Sequence, residues 1–109
     1  PMYDAYATGV LEYRSAMQQY YPSEPAGFVS LEGYVVARLF CLALQKSGRY
    51  FDVEEVIDRL EAMQDIDLGI GQPLSFSASD HQASHQVWGA VINNEGHFES
   101  LDLEKIQVQ

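Results

Sequence analysis

The sequence predicts an α/β fold arranged as helix, helix, helix and then a β-hairpin. Three observations point there. Apolar residues recur at spacings of three and four in the first two-thirds of the chain, which is the period of a helix face. Turn-forming clusters at Pro22–Gly27, Ser47–Gly48 and Asp65–Pro73 divide that region into separate segments. Near the end, two short apolar-rich runs flank Asn93-Asn94-Glu95-Gly96, the composition of a hairpin turn.

The first helix is expected from about Asp4 to Tyr20. Tyr3, Tyr6, Val10, Tyr13, Met17 and Tyr20 line one face, Asp4 is placed to cap the start and Pro22 to mark the end. The stripe covers too few heptads for a coiled coil and reads as one face resting on a domain. Phe28-Val29-Ser30 is expected to be a short extended crossing. The second helix then runs from about Leu31 to Lys46, with Gly48 suited to the position after its cap. Only Arg38 is charged between Tyr34 and Leu44, so this helix has almost no wet face and needs neighbours on most sides.

The third helix carries Val53, Val56, Ile57, Leu60 and Met63 on one stripe and Glu54, Glu55, Asp58, Arg59 and Glu61 toward water. Asp52 stands as its N-cap, with Glu55 three residues on as in a capping box. Leu74-Ser75-Phe76 reads as a short strand and Ser77–Ser84 as irregular. Val87–Ile92 and His97–Leu101 are the hairpin strands, with Leu103–Val108 extending the second.

Six basic residues against sixteen acidic ones give a net charge of −10 over 109 residues. That balance, without a Lys/Arg cluster, disfavours nucleic acid and anionic membrane surfaces as partners. The lone Cys41 excludes an intrachain disulfide. Its apolar setting, Leu39-Phe40-Cys41-Leu42-Ala43-Leu44, is that of a buried thiol rather than a reactive one. No signal peptide or transmembrane span is visible in the sequence, Leu39–Leu44 being far too short once Arg38 interrupts it, and this says nothing about targeting. The opening Pro1-Met2-Tyr3-Asp4 runs almost at once into a helical pattern, as in the middle of a longer protein.

Catalytic and metal motifs fail on their spacing. His81 and His85 stand four apart, but Gln82 occupies the place of a zinc-peptidase glutamate and no third ligand is evident. Asp65, Asp67 and Gly69 begin like a calcium loop, yet Ile70 and Phe76 fill the positions that need glycine and glutamate. Gly69-Ile70-Gly71 lacks the third glycine of a dinucleotide fingerprint, and no serine sits in a G-x-S-x-G elbow. No catalytic residue, metal ligand or cofactor is assigned.

The stretch Gly27-Phe28-Val29-Ser30-Leu31-Glu32-Gly33-Tyr34-Val35-Val36-Ala37-Arg38 resembles the helix entry near the C-terminus of type I periplasmic solute-binding proteins. Receptors for branched-chain amino acids and similar ligands are the nearest group. The likeness continues through Leu60-Glu61-Ala62-Met63, Asp67-Leu68-Gly69, Ser75-Phe76-Ser77, Asp80-His81-Gln82-Ala83-Ser84-His85 and Glu95-Gly96-His97-Phe98. Ala83 departs from a frequent glycine, and Gly71-Gln72 is a local variation. The order and spacing of these pieces, more than any single motif, make the resemblance specific.

Complete members of that family are much longer and fold as two α/β lobes. The resemblance therefore implies a C-terminal part of such a fold: residues 1–26 the last helix of lobe two, 27–86 the final return through lobe one, and 87–109 the closing hairpin at lobe two or the hinge. It implies a non-enzymatic receptor, periplasmic or extracellular and in some settings membrane-anchored through preceding sequence. Its ligand would be a small, amino acid-like molecule and its partner the permease of an ABC transporter. Within the chain, Ser30, Glu32 and Tyr34 are the candidate ligand-binding residues. Glu32 would pair with an ammonium and the two hydroxyls would donate to the ligand, unless Ser30 only caps the helix and Glu32 only favours its positive end. The apolar second helix implies self-association of the chain on its own. Alternative readings are an extracellular ligand-sensing domain of a signalling receptor, a small helical interaction module, and a metal-dependent hydrolase using His81 and His85.

Overall fold

The computed structural model describes residues 1–105, and Lys105 only in its backbone. Helices α1 (Thr8–Tyr20), α2 (Phe28–Lys46) and α3 (Val53–Glu61) precede an antiparallel pair, β1 (Gly89–Ile92) and β2 (Phe98–Leu101), and a 3₁₀ turn at Leu103–Lys105. The expected α/β order is present.

Core formation centres on α2. One face carries Leu39 and Ala43 into a cluster with Met63, Leu68, Ile70 and Leu74. A second cluster joins Val10 and Tyr13 of α1 to Leu31, and Val35 packs against both. Burying those apolar side chains is what fixes α1 and the 62–76 segment on α2. The start of α1 makes a backbone contact as well: the Gly9 N–H donates to the Gly69 carbonyl at 2.8 Å. A Cβ on Gly9 would lie 1.9 Å from the Leu68 carbonyl oxygen, so only glycine permits this approach.

Local signals account for the ends of the helices. The Asp52 carboxylate accepts from the Glu55 N–H at 2.9 Å, the expected N-cap. Gly48, with φ +81, follows the Ser47 cap of α2, and Ser47 returns its hydroxyl to the Ala43 carbonyl at 2.8 Å.

Several expectations are corrected. Helix α1 begins at Thr8 behind Ala7, so Asp4 caps nothing. Of its expected stripe Val10 and Tyr13 are buried, while Tyr6 and Tyr20 are exposed. Phe28-Val29-Ser30 is the first turn of α2 rather than an extended crossing. The competing force is tertiary: the Phe28 ring is packed edge-on to Tyr3 (4.9 Å) and Phe98 (5.1 Å), which overrides a weak local preference. On α3, Val56 is buried while Val53 and Ile57 are exposed. Leu74–Phe76 forms a single bridge, Ile66 to Leu74, and not a strand. The hairpin is paired only from Gly89–Leu101 to Ile92–Phe98. Asn93 closes its loop by accepting from the N–H groups of Glu95 and His97, both at 2.9 Å. The proposed extension is a 3₁₀ turn at 103–105, and residues 106–108 lie outside the described residues.

Cys41 is exposed, against the expectation of a buried thiol. Other apolar side chains of α2 are left open too, Val36 at 59% and Phe40 at 50%, so among the described residues little covers the side of α2 that turns away from its two core clusters.

Candidate functional site

Residues 27–34, where the loop enters α2, hold the candidate residues Ser30, Glu32 and Tyr34. The local anchor is Tyr13, a residue the sequence offered only as one member of a stripe. Its hydroxyl accepts from the Gly27 N–H at 3.0 Å, donates to the Gly27 carbonyl at 3.2 Å and lies 2.5 Å from Ser30 Oγ. Ser30 Oγ is also within hydrogen-bond distance of the Gly27 carbonyl, at 3.2 Å. The N-cap of α2 is Gly27, with no side-chain cap, so Ser30 is not the cap. It belongs to a knot that ties the first turn of α2 to α1.

Tyr34 lies one turn on from Ser30, on the same side. Its ring is 5.7 Å from that of Tyr13, and its hydroxyl accepts from Arg38 Nη1 at 3.2 Å. Arg38 also donates to Glu12 at 3.1 Å, and these contacts, the hydrogen bond to Tyr34 foremost, hold the guanidinium above its ordinary pKa. Ser30 and Tyr34 thus line a 300 Å³ hollow with Tyr13, Met17, Tyr20 and Tyr21.

Glu32 is not with them. Two residues along a helix is a rotation of about 200°, which turns it to the opposite side from Ser30. There it is exposed, at the edge of a 380 Å³ apolar cleft floored by Leu31, Val35, Leu39, Ile70 and Leu74. Trp88, Gln72, Ser84 and Gln86 complete the rim. Nothing in the sequence marked these residues as the rim of a cleft, because they come together only when the 72–88 segment folds across α2. Of the three candidates, Ser30 and Tyr34 lie on one side of α2, each already hydrogen-bonded to other residues of the chain; Glu32 lies on the opposite side, exposed.

The two histidines take separate carboxylates. His81 Nε2 is 3.0 Å from Glu61 on α3, and His85 Nε2 is 2.7 Å from Asp80 within the loop. With the Gln82 N–H also donating to it, Asp80 is held below the ordinary carboxylate range, chiefly by its bond to His85. Among the described residues no group of three or more His, Cys, Asp or Glu gathers to hold a metal ion.

Helix α2, at 19 residues, is long and apolar enough to cross a membrane by length and composition, although only 17% of that window is buried inside the molecule. Arg38 and Glu32 interrupt it, and the Arg38–Glu12 pair fixes its middle to α1.

Comparisons with known proteins bear on both the fold and the bare face. The family described as periplasmic binding protein matches residues 1–97. The crystal structure of a possible leucine/isoleucine/valine-binding protein from Rhodopirellula baltica SH 1 is 37% identical, with a TM-score of 0.89 over 96% of this chain. The chain spans 28% of the length of that protein. No protein of curated function matches.

Proposed function

Because the chain belongs to the periplasmic binding protein family, we propose that it forms part of a two-lobed receptor that captures a small solute outside the cytoplasm. The receptor binds and releases its solute without converting it. The observation that carries this reading is the pairing of 96% coverage of this chain with 28% of that possible leucine/isoleucine/valine-binding protein. An amino acid is the favoured solute, and the permease of an ABC transporter the favoured recipient. A sensing domain of a signalling receptor would use the same capture step.

Capture by such a receptor follows from differential affinity. Closing two lobes adds contacts to the solute that the open form lacks, so solute shifts the population toward the closed form. In our reading α1 and residues 27–86 move as one body, because Val10 and Tyr13 share a cluster with Leu31 and Gly9 is bonded to Gly69. This redraws the sequence-based division at residue 26, and the junction with the other lobe falls at 87–88, where the chain leaves for the hairpin.

Glu32 is the candidate we retain as a ligand contact, since an exposed carboxylate at an apolar cleft suits an ammonium group. Ser30 and Tyr34 are assigned to holding α2 on α1, as their hydroxyls already have partners. Titration calorimetry of the receptor with leucine, isoleucine and valine tests the substrate class; heat of binding with at least one is expected, and none with any amino acid would contradict it. Glu32→Gln is expected to weaken that binding, and unchanged affinity would remove Glu32 from the site. The chain alone, holding one side of the cleft, is expected to give no binding heat.

A further inference from the structure

The hairpin meets the helical body through very little. All of β2 and most of β1 are exposed, and the link at Val87–Trp88 is exposed as well. Against that background three rings form a continuous edge-to-face series. Tyr3 lies 4.9 Å from Phe28 at 81°, and Phe28 lies 5.1 Å from Phe98 at 75°. Tyr3 precedes α1, Phe28 is the first residue of α2, and Phe98 is the first residue of β2. The series therefore joins three separate stretches of chain at the one place, among the described residues, where hairpin and body touch through aromatic rings. Beside it a 510 Å³ hollow, lined by Met2, Ala5, Trp88, Phe98 and Glu99, leaves room for the hairpin to tilt.

We propose that Tyr3, Phe28 and Phe98 form an aromatic bearing that sets the angle between the hairpin and the helical body, and so biases the lobe movement of the receptor without touching the solute. The inference rests on the two-lobed reading above. Edge-to-face rings suit such a role. Their attraction is directional, favouring one arrangement, while their contact surfaces are apolar and allow rotation without leaving a buried polar group unpaired. Phe98 is 40% exposed, so removing its ring leaves both core clusters untouched.

The test places spin labels on Asp58→Cys of α3 and Asn94→Cys of the hairpin loop, in a receptor background carrying Cys41→Ser, and reads the distance distribution without solute. Phe98→Ala is expected to broaden or move the distribution, shifting the balance of orientations by about two- to tenfold, the range that ring pairs carry. Phe98→Tyr, which keeps the ring, is expected to retain the parent distribution. A Phe98→Ala distribution identical to the parent's overturns the bearing. Addition of a mixture of the standard amino acids to the parent separates the two ideas. A distance that moves on addition, with Phe98→Ala inert, contradicts the bearing alone; a parent distance that no amino acid moves contradicts the two-lobed reading and the bearing with it.

Discussion

At Gly9 two backbones meet with no room for a side chain, and the consequence runs against ordinary helix propensity. Alanine inside a helix is favoured over glycine by about 1 kcal/mol. Here the added methyl would meet the Leu68 carbonyl oxygen, and overpacking of that kind costs ~1–3 kcal/mol. Gly9→Ala is therefore expected to lower stability by denaturant unfolding; a gain would mean that α1 does not dock on residues 68–69. Asp80 makes a second prediction at this scale. Its carboxyl is held below its ordinary pKa, first by His85 and then by the Gln82 N–H, so the charged form is favoured in the folded loop. The stabilisation is present above the unfolded pKa and is lost as pH falls through the lowered folded value. Protection of the Gln82 amide, measured against its intrinsic exchange rate at each pH, should fall in that acid window and show no such fall in Asp80→Asn. Residue-level chemistry of this kind was partly legible in the sequence. The Asp52 cap was, because its partner is three residues away; the Tyr13–Gly27–Ser30 knot was not, because its members lie fourteen and seventeen residues apart.

Among the elements, α2 was the most readable and also the most misread at its start. Its lack of a wet face from Tyr34 to Leu44 was plain in the sequence, while its first turn, Phe28 to Ser30, was placed outside it because the ring contacts that hold Phe28 come from Tyr3 and Phe98. The face angles separate its roles. Leu31, Val35, Leu39 and Ala43 point into the two clusters, Ser30 and Tyr34 toward α1, and Val29, Val36 and Phe40 are left largely exposed, Val36 at the side of the cleft. Glu32 was grouped with Ser30 and Tyr34 by sequence proximity, a grouping that helical geometry undoes. Helix α3 depends on its cap: Asp52→Ala is expected to cost ~1 kcal/mol and to fray its first turn. Equal unfolding midpoints for the two proteins would show that α3 is held by Val56 and Leu60 alone.

For the whole molecule, the exposed apolar side of α2 and the partial coverage of a longer relative lead to the same account. A bare apolar helix face in water seeks cover. The proposed receptor would supply that cover from the remainder of the lobe, and the chain alone is expected to find it in a second copy. Sedimentation of the chain alone should therefore show concentration-dependent association that Phe40→Lys reduces, whereas a strict monomer at high concentration would remove the self-association reading. The fold class and the family were both legible in the sequence, because helix spacing and the motifs from Gly27 to Phe98 are local. The way the 72–88 segment folds across α2 to make a cleft was not, since it depends on contacts between residues far apart in the chain.

The central claim is that Val36 and Phe40 face the interior of a larger body. Alkylation of Val36→Cys in a Cys41→Ser background, followed by peptide mass spectrometry in the chain alone and in the two-lobed receptor, measures this directly. The account predicts rapid modification in the chain alone and strong protection in the receptor; equally rapid modification in both would contradict it.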